Sequence, residues 1–500
     1  MLPSIGHLTV AAAERWGDRL SIAGDRPLSF GDVEALTARF AGGLAAQGIG
    51  EGDRVVLHLS NSWRWIVAYH ALARLGAVVV PANILLSADE VGFLLENSGA
   101  KAAILEPDRA RVAHGRALAI VADGAANIGD IRFDDLMTAA PRAPIDLSPD
   151  ALFTIGYTSG TTGKPKGAML SHGNVRASVE HSATIHVRHA GDRVLSALPL
   201  PHVYGNVVMN ACFLTGAALH APARFDAAAA LRTIEAERIT LFEGVPTMYY
   251  QLLGCPALAD ADLSSLTRCT VGGQSMPTNK LEAVAIRFGC PVLELWGMTE
   301  VAGPATSHSP YWSPRYGSIG LPFPGTEVRI ADLADPQEKL GHGIGELMIR
   351  GPLVTAGYWN DPAATDAAFV NGWFATGDVA YRDQDGFLYI VDRKKEMILT
   401  AGYNVYPAEL ERVIAAYPGV AMVAVSGCDD ELKGEIARAF VVRQTGAEVG
   451  EADLIAHCRS ALAAYKVPRA VFFVDDLPRT GTGKIMRRAL NALVAPSPPA

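Results

Sequence analysis

Residues 156–167 read Gly156-Tyr-Thr-Ser-Gly-Thr-Thr-Gly-Lys-Pro-Lys-Gly167, a stretch that gathers the residue types that hold phosphate. Thr158, Ser159, Thr161 and Thr162 supply hydroxyls, Gly160 and Gly163 interrupt them, and Lys164 and Lys166 sit at the rim. Glycine lets backbone N–H groups turn inward with no Cβ in the way, and hydroxyls donate to anionic oxygens. The pattern suits a polyphosphate cradle, although a lone Gly/Ser/Thr loop is more often a solvated turn between two strands. It is not a Walker A loop. That motif needs glycine five residues before the Gly-Lys pair and Ser or Thr after it, whereas Gly163-Lys164 has Thr158 and Pro165 at those positions.

Other segments carry side chains suited to related chemistry. His202 follows a predicted strand in the Pro-rich bend 198–205, where a lone histidine is more often structural than functional. Segment 270–277, with Gly272, Gly273 and Gln274, suits either a tight strand-to-helix turn or a glycine backbone laid against a flat ring. Leu295-Trp-Gly-Met-Thr-Glu300 is more telling: Trp296 offers a flat face to a purine, Gly297 permits close approach, Thr299 can donate to phosphate and Glu300 can hold Mg²⁺. Segment 372–378 ends in Asp378, one carboxylate able to accept from both hydroxyls of a ribose. The charge run 392–396 is by default a solvated face. Lys484 lies on a Gly loop at 478–488, and a mobile lysine brought to an anionic site suits in-line attack at phosphorus, because charge builds on its oxygens.

The elements that must position these residues alternate. Val33, Leu36, Phe40 and Leu44 recur at helical spacing within 30–48. Predicted strands at 55–59, 77–80, 102–105, 151–155, 195–198, 240–242 and 292–295 are interleaved with helices such as 63–75, which implies mostly parallel sheets covered by helices. Ligands of such sheets bind beyond the carboxyl ends of the strands, where the loop at 156–167 is expected. From about 319 to 390 short strands (328–330, 346–350, 388–391) stand amid Gly, Pro and Asp turns, with Asp385-Gly386 as a hairpin turn. A helix at 408–416 and strands at 422–426 and 438–442 then make a separate α+β unit.

At 500 residues the chain suits two or more domains, and 49% hydrophobic with 19% charged residues is globular. A net charge of −9 argues against a general nucleic-acid binder. The six cysteines (Cys212, Cys255, Cys269, Cys290, Cys428 and Cys458) show no metal or disulfide spacing and fit a reduced, cytoplasmic protein. No signal peptide is visible at residues 1–20, and the apolar stretch 76–86 is too short for a membrane span.

In order and separation, these segments closely resemble the adenylate-forming superfamily of acyl-CoA synthetases, peptide-synthetase adenylation domains and firefly luciferase, over about residues 10–490. Trp296 stands where tyrosine is commoner, and Pro201 where many relatives carry an aromatic. The resemblance implies an α/β fold: a large N-terminal domain (1–394) of two doubly wound parallel sheets plus a small β-barrel-like subdomain, a mobile α+β C-terminal domain (395–490), and a disordered tail (491–500). It implies a ligase using ATP, Mg²⁺ and CoA, which makes an acyl-adenylate and passes the acyl group to the CoA thiol. Lys484, His202, Thr299 and Glu300 become the catalytic set, with Glu300 on the metal. ATP would be held by Thr158, Ser159, Gly160, Thr161, Thr162, Gly163, Lys166, Gly273, Gln274, Leu295, Trp296, Gly297, Met298, Thr299, Asp378, Arg393 and Lys484. Lys395 becomes the hinge, and Gly402 and Tyr403 meet CoA. His202, Asn206, Val245, Tyr249, Val271 and Gly272 line the acyl pocket.

That pocket is mainly apolar, with Glu243, Asn206, Gln274 and tyrosine hydroxyls as its polar members. Relatives that activate malonate use an arginine near the segment 244–249, where this chain offers Gln251, so a dicarboxylate is disfavoured. The expected substrate is a fatty or other hydrophobic monocarboxylic acid, with aryl acids next. An enzyme loading a carrier-protein thiol and a luciferase-like oxidoreductase are the alternatives. Oligomeric state stays open, as does acetylation of Lys484.

Overall fold

The computed structural model describes residues 4–122, 129–158, 165–340, 343–430, 432–479 and 485–494. Four sheets organise it. The first has seven strands in the order Ile131–Arg132, Leu118–Val121, Ala102–Leu105, Arg54–His58, Val78–Pro81, Leu152–Thr158 and Lys166–Ser171. All neighbours are parallel except the last pair. The second has nine strands. Its parallel centre runs Val292–Met298, Arg268–Gly272, Leu241–Gly244, Arg193–Ser196, Ala218–His220 and Leu20–Ala23, and antiparallel strands flank it on both edges.

Parallel strands are buried on both faces, which is why these segments read as near-continuous apolar runs. The helix Trp63–Arg74 shows the same constraint: every residue from Trp65 to Arg74 is buried, so it is core rather than cover. Tyr69 meets Phe153 of the first sheet edge-on with centroids 5.1 Å apart, and His70 meets Phe213 at 4.9 Å, on the helix Val203–Thr215 beside the second sheet. Phe153 also stacks on His172 at 4.4 Å. This aromatic seam joins the two sheets into one core, with Phe153 and Phe213 each contributing about 1.5–3 kcal/mol of burial. Burial holds His70 at about 3 and His172 at about 4, so both are neutral structural rings.

Two expectations change. The stretch 166–171, absent from the expected strands, is a strand paired antiparallel with Leu152–Thr158, and the helix His172–Ile185 follows it. The barrel-like subdomain is a five-stranded antiparallel sheet built on Trp373–Arg382, and its pairings do not close into a barrel among the described residues. Beyond it, Ile398–Thr400, Tyr403–Val405, Val420–Asp430, Gly434–Arg443 and Ala470–Phe473 form a separate sheet with its own apolar core. Asn491–Leu493, expected in a disordered tail, form a helical turn, and Asn491 donates to the Gly427 carbonyl at 2.8 Å. No described helix is long and apolar enough to cross a membrane.

Glu294 sits inside the parallel strand Val292–Met298 and accepts the Gly317 N–H at 2.7 Å. Burial pushes its carboxyl up to about 8 from the ordinary 4.5. The folded protein then holds a proton that the unfolded chain has released, so this group lowers stability as pH rises from about 4.5 to 8. The buried histidines act in the opposite sense, and their contribution is complete once pH exceeds the ordinary 6.5. Denaturation curves should therefore show wild type losing roughly 2 kcal/mol relative to Glu294→Gln between pH 6.5 and 8. Parallel curves for the two proteins would contradict the assignment.

Candidate active site

The antiparallel pairing of Val292–Met298 with Gly303–Ser307 slips between Trp296 and Gly297. A Cβ on Gly297 would lie 1.9 Å from the Gly303 carbonyl oxygen, so only glycine fits this bulge. The indole of Trp296 is buried and donates Nε1–H to Asp378 Oδ2 at 2.7 Å. Asp378 belongs to Trp373–Arg382, where its own N–H donates to Thr376 Oγ1 at 3.1 Å. Arg393, opposite it in the ladder, places Nε 2.7 Å from Asp378 Oδ1. An aromatic, a carboxylate and a guanidinium from distant segments thus converge.

Thr299 and Glu300 follow directly. A Cβ on Gly156 would lie 2.6 Å from Thr299 Cγ2, so the strand entering the predicted phosphate loop touches this turn. Glu300 is buried, and Tyr358 donates its hydroxyl to Oε1 at 3.0 Å. Burial pushes the Glu300 carboxyl above its usual range, and the Tyr358 hydroxyl opposes that. The Lys166 ammonium lies 5.3 Å from the Tyr358 ring centroid. Met169 and Trp359 N–H donate to the Gly357 and Gly167 carbonyls at 2.9 and 2.7 Å, sewing the hairpin to 357–359. No group of three or more Asp, Glu, His or Cys side chains is placed to hold a metal ion among the described residues. A single buried carboxylate suits Mg²⁺, which keeps waters and takes phosphate oxygens for its other ligands. Met298 lies half-buried in the same turn. Thr158 pairs with Lys166 across the hairpin, while Ser159, Gly160, Thr161, Thr162, Gly163 and Lys164 lie outside the described residues.

On the other side, His202 caps the helix Val203–Thr215, its Nδ1 accepting the Tyr204 N–H at 3.3 Å. A cavity of about 60 Å³ is lined by Tyr69, Gly156, Tyr157, His202, Asn206 and Thr299, among others. Tyr69 donates to Asn206 Oδ1 at 2.9 Å, and Asn210 donates to the same oxygen at 3.0 Å. Val245, Tyr249, Val271 and Gly272 do not line this cavity. The Tyr249 hydroxyl donates to the Thr270 carbonyl at 2.6 Å, and a Cβ on Gly272 would lie 2.2 Å from Leu295 Cδ1. Gly273 turns at φ +90°, with Gln274 half-buried after it. Glu243, read as a polar pocket member, is fully buried against Arg188 and accepts from Thr270 at 2.8 Å; Gln251 is exposed.

The segment after Arg393 changes anchors. Lys394 is tied backward, its N–H to the Gly377 carbonyl at 2.8 Å and its ammonium to Glu346 at 3.0 Å. Glu396 is tied forward to Arg487, which also pairs with Glu411 at 2.7 Å. Lys395 lies exposed between them. Asp392 accepts the Ala408 N–H of the helix Pro407–Ala415 at 2.7 Å, and burial raises its carboxyl to about 6 against the pull of Arg487. Gly402 turns at φ +82°, and Tyr403, 56% exposed, stacks on Tyr465 at 4.5 Å. Lys484 lies outside the described residues. Tyr358 and Tyr69 escape sequence reasoning, since each works through a partner 58 or 137 positions away and stands in no motif.

The AMP-binding enzyme family matches residues 10–359, and the AMP-binding enzyme C-terminal domain matches 409–484. Feruloyl-CoA synthase of Amycolatopsis is 37% identical over 93% of both chains. A long-chain-fatty-acid–CoA ligase of Mycobacterium tuberculosis is likewise 37% identical over 93% of both. O-succinylbenzoate coenzyme A synthetase from Bacillus subtilis, in complex with ATP and magnesium ion, superposes with a TM-score of 0.83 at 32% identity, covering 97% of this chain and 99% of that one.

Gly297→Ala should destabilise the protein by about 3 kcal/mol, because its Cβ meets backbone that cannot yield. Gly50→Ala, whose Cβ would meet nothing within 4 Å, is the matched control. Equal melting temperatures for the two variants would contradict the bulge geometry.

Proposed function

The chain belongs to the AMP-binding enzyme family and is an AMP-forming acid–thiol ligase, and on that premise we propose that it activates a hydrophobic monocarboxylic acid and transfers it to CoA. The observation that carries the reading is the shared cavity: His202 and Asn206 on the acid side face the same space as Gly156 and Thr299 on the phosphate side. An acid bound there has its carboxylate next to the α-phosphate of a nucleotide whose ribose lies on Asp378.

In the first step a carboxylate oxygen attacks the α-phosphorus and pyrophosphate leaves, giving acyl-AMP. A free carboxylate resists thiols because oxide is a poor leaving group, whereas AMP departs readily. Glu300 is the residue to hold Mg²⁺, which when bound neutralises phosphate charge. Lys484 is proposed to neutralise charge developing on the α-phosphate, with residues 159–164 around the outer phosphates. In the second step the CoA thiol attacks the acyl carbonyl, losing its proton, and AMP leaves. The opposed anchors of Lys394 and Glu396 support Lys395 as the pivot that exchanges Lys484 for the Gly402 turn between steps.

The acid is read as hydrophobic because the cavity carries no cation for a second carboxylate among its described lining residues, and Gln251 is exposed. A fatty acid is one reading. The hydrogen bond between Tyr69 and Asn206 in the cavity lining favours a second, a compact aryl acid, since a long chain running past them would have to break it.

An AMP-release screen with CoA across short, medium and long-chain and aryl acids decides between them. Aryl acids should lead in kcat/KM by about tenfold, and a long-chain acid ahead by that margin would reverse the order. Replacing CoA with a carrier protein tests the other acceptor. Lys484→Ala should abolish acid-dependent ATP–pyrophosphate exchange yet spare thioester formation from supplied acyl-adenylate. Lys395→Pro should do the reverse, and equal damage to both half-reactions would remove the pivot assignment.

A further inference from the structure

The side chain of Asn206 has its orientation fixed from behind. Asn210, wholly buried in the helix Val203–Thr215, places one side-chain atom 2.9 Å from the Asn206 carbonyl oxygen. A carbonyl only accepts, so that atom is the amide nitrogen, even though Asn210 Oδ1 is then buried without a partner among the described residues. The same nitrogen lies 3.0 Å from the Asn206 side chain and 3.4 Å from the Tyr69 hydroxyl. The Asn206 atom it meets must therefore be Oδ1, which also accepts from the Tyr69 hydroxyl at 2.9 Å. Burial pushes the ionisation of Tyr69 up, so its hydroxyl stays a donor. Asn206 Nδ2 is turned the other way, and no described residue bonds to it.

Asn206 is half-buried and lines the cavity it shares with His202, Gly156 and Thr299. We propose that Asn206 is a specificity-determining residue: its Nδ2–H donates to a neutral acceptor oxygen remote from the carboxylate of the acid, and so selects oxygen-substituted aryl acids over their hydrocarbon analogues. The inference rests on the ligase reading and names the substrate class for the same cavity. Asn206 stands one turn into the helix from its cap, its N–H donating to the His202 carbonyl at 2.9 Å. Four helical residues rise about 6 Å, so with the carboxylate between His202 and Thr299 this amide addresses the far end of a one-ring acid. A hydrocarbon seated there strips water from the amide and returns no bond, whereas an ether, carbonyl or hydroxyl oxygen accepts one.

The test compares 4-methoxy- with 4-ethyl-substituted benzoic and cinnamic acids, and the corresponding 3-substituted pairs, by CoA-dependent AMP release from the full-length protein. Methoxy and ethyl groups match in shape, and only methoxy accepts. Wild type should favour methoxy by about tenfold or more in kcat/KM in at least one pair. Asn206→Leu removes the amide, and Asn206→Asp keeps an oxygen for Tyr69 and Asn210 while replacing the donor with an acceptor. Both should bring that ratio to about one or below, and Asn206→Asp decides if Asn206→Leu impairs folding. Lost packing alone would slow both acids of a pair alike, so an unchanged ratio in the variants overturns the role of Asn206. A wild type with no preference in any pair overturns it too. Turnover of octanoic and palmitic acids with none of the aryl acids does the same, yet leaves the ligase reading standing. No AMP release with any of these acids strikes instead at the ligase reading.

Discussion

A buried carboxylate must be hydrogen-bonded, because an uncompensated one costs several kcal/mol, and Asp378 takes one of its bonds from a separate part of the fold. Its own sheet supplies Arg393, and the large parallel sheet supplies Trp296. The antiparallel subdomain is therefore fastened to the parallel core at the spot where a nucleotide sugar would lie. Glu300 repeats the arrangement nearby, with Tyr358 from the segment that joins two strands of that subdomain. The site is a seam whose polar groups double as its fastenings.

The rest of the core protects this seam. The aromatic contacts of Tyr69, His70, Phe153, His172 and Phe213 fix the two parallel sheets against each other. Tyr69 carries that rigidity to the cavity wall through Asn206. The C-terminal unit is held differently. Its own core is separate, and its ties to the larger part near the joint are polar: Asp392 to Ala408 and to Arg487. Polar ties exchange with water at modest net free energy, whereas unpacking an apolar interface does not, so a swing between half-reactions is compatible with a rigid nucleotide site.

Much of the site was legible because its residues lie close together in sequence. Leu295 to Glu300 occupy consecutive positions, and the structure keeps Trp296, Gly297, Thr299 and Glu300 in one bulged turn. Asp378 and Arg393 were each readable from their own segments. Less was legible where side-chain direction mattered. Glu243 reads as a pocket residue from its place at a strand end, yet it faces Arg188 in the interior. The strand after residue 164 was hidden because Lys166, Gly167 and Ala168 lack the β-branched pattern, and pairing with Leu152–Thr158 creates it.

Sequence alone determined the alternation of elements, the family resemblance and a few of the groups around the cavity, His202, Asn206 and Thr299, since these depend on local periodicity and short motifs. Tertiary structure alone decided which groups meet: the indole with Asp378, Tyr358 with Glu300, Tyr69 with Asn206. The physical reason is that a hydrogen bond is specified by distance and angle in space, and separations of 58 to 137 residues leave no mark on spacing or composition.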